Sequence, residues 1–284
     1  MKRIELVANA KINLFLDIES RRDNGYHNIV SLMQSVDLYD SVFVSYEPSD
    51  QKKIEIETDD PRIPSDERNI AYKAADRLLE SGHVKIEIRK RIPSPAGLAG
   101  GSADAAAVIY GLCKVGAVDK SDEEIFKIAA SIGADVPFCL VGGTKKITGI
   151  GDVIEDVPSQ PRQNLVIAVS GEGVSTPVAY SMLDERYDKF KAYKVKDFDF
   201  NSFSINNIYN VFEQVILPVR EYAQNLKKEM ISLGATASFM SGSGPAIVGI
   251  FENSDMARLV AEELTKKGIT AFACKTVNRG IEEK

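Results

Sequence analysis

One stretch constrains this chain more than any other: Pro93-Ser94-Pro95-Ala96-Gly97-Leu98-Ala99-Gly100-Gly101-Ser102-Ala103, running without a break into Asp104-Ala105-Ala106-Ala107. Proline and glycine this dense forbid regular structure up to Gly101, and the alanines that follow favour a helix. Glycines let backbone N–H groups converge on one point without side chains in the way. Ser102 is a suitable N-cap residue, and the helix behind it offers unpaired N–H groups and the positive end of its dipole. Together these features predict an anion cradle of the kind that holds phosphate; a turn whose glycines only permit tight packing is the alternative. The loop matches neither GxxxxGK[ST] nor GxGxxG, which excludes a Walker-type loop and a dinucleotide fingerprint.

The rest of the chain reads as mixed α and β. Apolar residues alternate over Ile4–Val7 and Ile12–Ile18, and Asp23-Asn24-Gly25 then predicts a tight reversal. Further strands are expected at Val42–Ser45, Lys53–Glu57 and Val84–Lys90, with a helix over Glu67–Glu80 ended by Gly82. Helices follow at Asp122–Ile132, Asn206–Leu217, Val219–Leu233 and Asp255–Lys267. Strands are expected at Lys145–Thr148, Leu165–Ser170, Thr236–Met240, Ala246–Phe251 and Thr270–Val277. Without strict βαβ alternation, this order predicts α+β architecture. Pro158-Ser159-Gln160-Pro161 is the linker candidate and divides the chain into domains at 1–157 and 158–284.

Charge and cysteine narrow the function class. A formal charge of −6, from 35 basic and 41 acidic residues, has the wrong sign for a duplex-binding protein. No apolar run approaches the ~20 residues of a membrane span, and Met1-Lys2-Arg3 leads into no signal-peptide core. Cys113, Cys139 and Cys274 lie too far apart for a metal knuckle and read as reduced thiols. A cytoplasmic protein is expected, and a small anionic ligand held at a local site stays compatible with the charge.

The loop resembles the Pro-x-x-x-Gly-Leu-x-Gly-Gly-Ser-[Ala/Ser] phosphate loop of the kinases that include galactokinase, homoserine kinase and mevalonate kinase, the GHMP superfamily. Ala10-Lys11-Ile12-Asn13-Leu14, Gly25-Tyr26-His27, Gly133-Ala134-Asp135-Val136-Pro137-Phe138 and Ser241-Gly242-Ser243-Gly244-Pro245-Ala246 are similar to motifs of its members that act on a cytidine-bearing sugar alcohol. The resemblance implies a two-domain fold, with an N-terminal domain like one found in a ribosomal protein and a ferredoxin-like C-terminal domain, and the active site between them. It implies ATP as co-substrate with Mg²⁺, phosphates on residues 93–103, and transfer to the alcohol's 2-hydroxyl. Asp135 becomes the base and Lys11 its partner, since phosphoryl transfer needs a proton acceptor and charge neutralisation. Without the resemblance, Asp135 reads as a helix-end carboxylate and Lys11 as a surface lysine.

The same resemblance places Tyr26 and His27 at the cytosine and Tyr180 on its other face. Asn13 falls on the sugar alcohol, Asn69 near the adenine and Gly242 in a second loop by the substrate. Asn24 stands where the family has Asp, and both tolerate that turn. Lys145 and Lys146 stand where small residues are usual and are expected in solvent. Asp104 is the misfit, because a carboxylate there repels bound phosphate; it either points away or has a Mg²⁺ nearby. Two rivals remain, a relative acting on homoserine or mevalonate, and a kinase-like sensor without turnover.

Overall fold

A computed structural model describes residues 1–185, 198–202 and 204–284. Its first sheet is built on two long antiparallel strands, β1 (Lys2–Arg21) and β2 (His27–Glu47), joined by the Asn24-Gly25 turn. Gly25 takes φ +85 there, and Asn24 Oδ1 accepts the Tyr26 N–H at 3.1 Å. The separate early strands expected from alternation are one continuous strand. Bulges between Asn9 and Ala10, Asn13 and Phe15, and Ile18 and Ser20 break the alternation without breaking the pairing. The short Val42–Ser45 signal is likewise the end of a strand that begins at His27.

The sheet continues through β4 (Gly82–Arg89) to β3 (Lys52–Thr58), which pairs parallel to it. β5 (Thr144–Thr148) pairs with β2 and with β6 (Val153–Asp156). Lys145 and Lys146 on β5 pair with Asp156 and Glu155 across that hairpin, at 2.6 and 3.0 Å. The helices α1 (Ile70–Leu78), α2 (Gly100–Lys114), α3 (Asp122–Ile132) and α4 (Val136–Val141) belong to this half of the chain. Ser121 and Glu124 form a capping box at the start of α3. Small residues bring α2 onto the sheet: at Gly111 a Cβ would come within 2.9 Å of Val44 and 3.1 Å of Leu6.

The second sheet is antiparallel, in the order β11 (Thr270–Lys275), β7 (Asn164–Val169), β10 (Ile247–Phe251), β9 (Ala237–Met240). Helices α7 (Glu221–Ser232) and α8 (Ser254–Lys266) pack their apolar faces in its core. The helix expected over Asn206–Leu217 is absent as such. In its place stand a 3-10 turn at Ile205–Asn207, a two-residue strand β8 (Tyr209–Asn210) and a short helix α6 (Glu213–Ile216). β8 pairs parallel with Phe15 and Leu16 of β1, so pairing with the first sheet overrides a helical pattern. The last strand, β12 (Ile281–Glu283), also returns to β1, beside Leu6–Ala8.

Candidate active site

The proline–glycine loop ends in an unusual helix start. Helix α2 begins at Gly100, and its N-cap is Ala99, in the left-handed conformation at φ 57. Ser102 therefore lies inside the first turn and is not the cap expected from the sequence. Cap preference is overridden by the loop, which must turn sharply to deliver Gly100 and Gly101 to the cavity. The consequence favours anion binding. The first N–H groups of a helix lack intrahelical acceptors, and no side chain occupies the cap.

A second glycine loop locks the first. Gly97 sits at φ +76, and a Cβ there would fall 2.1 Å from the Ser241 carbonyl oxygen. Ser241 is fully buried; its Oγ donates to the Gly97 carbonyl at 2.9 Å and accepts the Asn13 N–H at 3.3 Å. Asn13 N–H, like Lys11 N–H two residues before it, points away from β2, which leaves it for Ser241. The backbone adds two more ties, from Lys11 N–H to the Leu98 carbonyl and from Ala246 N–H to the Ala96 carbonyl. Gly242, at φ +55, approaches Gly97 closely.

Lys11 and Asn13 lie two residues apart on β1 and so share a face. Lys11 Nζ donates to Asn13 Oδ1 at 2.8 Å and lies 3.7 Å from the Asp135 carboxylate. The Asn13 amide donates in turn to Ser31 Oγ at 2.9 Å, which donates to the Phe15 carbonyl. Lys11 is only 5% exposed, so the surface-lysine reading fails. Asp135 occupies the N-cap position of α4, yet its side chain makes no cap bond. Its carboxylate is left to the cavity and to Lys11.

At the other end, Tyr180 on α5 (Thr176–Asp184) stacks on His27, with centroids 4.7 Å apart and planes at 15°. His27 Nε2 bonds Asp184 Oδ1 at 2.7 Å. That ring contact is direct, so no third ring fits between the two. Burial, and then the negative charge of Asp135, push the Tyr180 hydroxyl up to about 12. Tyr26 is 60% exposed on the turn.

All these groups face one cavity of about 840 Å³, at the large end for a ligand site. Lys11, Asn13, Tyr26, His27, Asp135, Tyr180 and Gly242 line it, as do Pro93, Ser94, Pro95, Ala96, Gly97, Ala99, Gly100, Gly101 and Ser102. Leu98 and Ala103 are fully buried behind the loop. Asn69 is the outlier: its side chain caps α1 through the Ala71 N–H and donates to the Pro64 carbonyl, while the next residue, Ile70, lines the cavity. Asp104 points away from the cavity to Lys90, at 2.6 Å.

Sequence reading missed Asn210 and Asp184. Asn210 Nδ2 donates to the Met240 and Gly242 carbonyls at 2.7 and 2.8 Å and so frames the second loop. Its signal was hidden in a stretch that reads as helical. Asp184 carries no motif in the sequence and shows itself through its contacts with His27 and Arg21.

A helix start without a side-chain cap, a lysine–aspartate pair and a ring-lined end share one cleft, and both halves of the chain match kinases of the GHMP class. Residues 69–143 match the GHMP kinases N terminal domain and residues 201–270 the GHMP kinases C terminal domain. A 4-diphosphocytidyl-2-C-methyl-D-erythritol kinase of Acetivibrio thermocellus is 40% identical, over 98% of this chain and 100% of its own. One from Lachnospira eligens is 36% identical over 94% and 96%. A crystal structure of 4-(cytidine 5'-diphospho)-2C-methyl-D-erythritol kinase superposes with a TM-score of 0.81 at 30% identity, covering 96% of this chain and 99% of that one. Homoserine kinase from Cytophaga hutchinsonii shares the fold, with a TM-score of 0.72 at 20% identity over 100% and 98% of the chains. The chain belongs to the 4-diphosphocytidyl-2-C-methyl-D-erythritol kinase family.

Proposed function

We propose that the chain transfers the γ-phosphoryl group of ATP to the 2-hydroxyl of 4-diphosphocytidyl-2-C-methyl-D-erythritol, giving the 2-phosphate and ADP in the non-mevalonate supply of isoprenoid precursors. The observation that carries this reading is the single cavity holding the helix start, the Lys11–Asp135 pair and the ring-lined end together. Residues 93–103 cradle the phosphates, with Leu98 and Ala103 acting from behind through the backbone. Asn69, next to Ile70, bounds the adenine end.

Asp135 takes the proton as the 2-hydroxyl oxygen attacks phosphorus in line. The bond from phosphorus to the β,γ-bridging oxygen breaks, and ADP leaves with its electron pair. Lys11 steadies the carboxylate and the nascent alkoxide charge, and Asn13 orients both Lys11 and the sugar alcohol. At the far end the cytosine stacks on Tyr26. His27 and Tyr180, already in contact, form the wall it lies against, an interaction of about 1–3 kcal/mol per base. Gly242 keeps the second loop close to the substrate.

Mg²⁺ accompanies ATP on its phosphates and supplies further charge neutralisation. Among the described residues no group of three carboxylate, imidazole or thiolate side chains forms a cage for it, and no step above runs through it. The same reading assigns residues 1–157 to an N-terminal kinase domain and 158–284 to a C-terminal one, with β8 and β12 reaching back to β1. It assigns the protein to the cytoplasm, with small molecules as its partners; among the described residues no helix is long and apolar enough to cross a membrane.

The test is ADP release with Mg-ATP and, in separate reactions, the cytidine substrate, homoserine and mevalonate. Turnover is expected with the cytidine substrate alone, and Asp135→Asn should lower kcat by about 10²–10⁴. Turnover with another alcohol would overturn the substrate, and tight binding without turnover would favour a sensor.

A further inference from the structure

Beneath the phosphate loop, and outside the cavity, lies a buried charge cluster with no part in the chemistry above. Lys90 Nζ sits between two carboxylates, 2.5 Å from Asp40 and 2.6 Å from Asp104. All three side chains are shielded from water: side-chain exposure is 4% for Lys90, 0% for Asp40 and 3% for Asp104.

The cluster touches the loop at both ends. At the entry, Asp40 Oδ1 accepts the N–H groups of Arg91 and Ile92, at 2.5 and 2.8 Å, just before Pro93. At the exit, Asp104 belongs to α2, and its Oδ1 has no hydrogen-bond partner. Between them Lys90 lies close under Gly100, where a Cβ would stand 3.3 Å from Nζ. Burial raises the Asp104 carboxyl well above its ordinary range, with Lys90 opposing that rise and Asp40 adding to it.

Buried ions cost more than apolar groups of the same volume unless well paired, so this cluster is a poor device for stability alone. Its position suggests another purpose. The helix start must receive several negative charges, yet α2 carries a carboxylate in its second turn. An ammonium held between the two carboxylates, under the first residue of the helix, offsets part of that opposing charge where little water screens it.

We propose that Lys90 is a positioning residue for the nucleotide phosphates, tying both ends of the loop to one buried ammonium and offsetting carboxylate charge beneath the anion site. This rests on the reading of residues 93–103 as the ATP phosphate loop. Its signature is selective: nucleotide affinity depends on Lys90, and affinity for the alcohol substrate does not.

The experiment measures ADP binding by calorimetry, and KM for each substrate, in the native enzyme, Lys90→Met and Lys90→Arg. Lys90→Met should weaken ADP at least tenfold and raise KM for ATP to match, with KM for the cytidine substrate within twofold of native. Lys90→Arg should recover most of the nucleotide affinity. If Lys90→Met does not fold, Lys90→Gln, which keeps a hydrogen-bond donor for the carboxylates but not the charge, should show the same selective loss. A folded variant with no cation at position 90 and native ADP affinity overturns the inference, whatever its melting temperature. So does an equal loss for both substrates, which marks a structural staple. Native enzyme that turns over but binds no ADP at the loop removes the reading of the loop itself.

Discussion

At the residue scale the site depends on polar groups that only make sense in pairs. Lys11 is buried on a strand, where an unpaired ammonium is costly, and its partners are Asn13 and Asp135. Lys11→Ala should therefore cut kcat by about 10²–10³ while KM for ATP stays within a few-fold, since the interaction it removes strengthens only as charge develops. Initial-rate measurements against each substrate give that split directly. A second prediction concerns acid stability. Hydrogen bonds from the Arg62 side chain, then from its backbone N–H, hold the Asp60 carboxyl down to about 2. A depressed carboxyl adds stability above its unfolded pKa, about 4, and loses it as pH falls toward 2. The difference in urea midpoint between native protein and Asp60→Asn should be constant near neutrality and shrink below pH 4. A difference that grows on acidification would contradict this origin.

At the element scale, two loops and a bulged strand form one joint. Gly97 has a positive φ and no room for a methyl group against the Ser241 carbonyl. Gly97→Ala should cost at least the ~1–3 kcal/mol of a strained backbone and abolish most turnover, because the loops must part to admit the Cβ. Thermal melting and activity should fall together; a variant with native activity would mean that the loops are not interlocked in solution. The same joint explains what a one-dimensional reading could see. The capping box at Ser121 and the alternation of β4 are local, so their elements stand where expected. Ser102 and the 206–217 stretch were misread because their local preferences lose to longer-range demands. One is a loop that must enter its helix through Ala99, and the other is a strand edge that recruits Tyr209 and Asn210.

At the scale of the whole molecule, the chain's end supports its beginning. β12 pairs with β1, Asn9 donates its N–H to the Gly280 carbonyl at 2.9 Å, and Gly280 packs against the Cys139 carbonyl on α4. The strand carrying Lys11 and the helix carrying Asp135 at its N-cap thus share one brace. Deleting residues 278–284 should expose that edge of β1, cost about 1–3 kcal/mol of stability and promote association, read by thermal melting and size-exclusion chromatography. Retained activity at full stability would show that the brace is dispensable.

The sequence by itself determined the proline–glycine loop, the helix behind it and the motifs that carry the family likeness, because spacing of glycine, proline and apolar residues is a local code. Asp135 and Lys11 were visible there as residues, but not as a pair. Only tertiary structure decided that they face each other and that Asp104 turns to Lys90, away from the cavity. Those outcomes depend on which strands pair, where a ladder bulges and what a buried charge finds within reach. Contacts between residues far apart in the chain settle both.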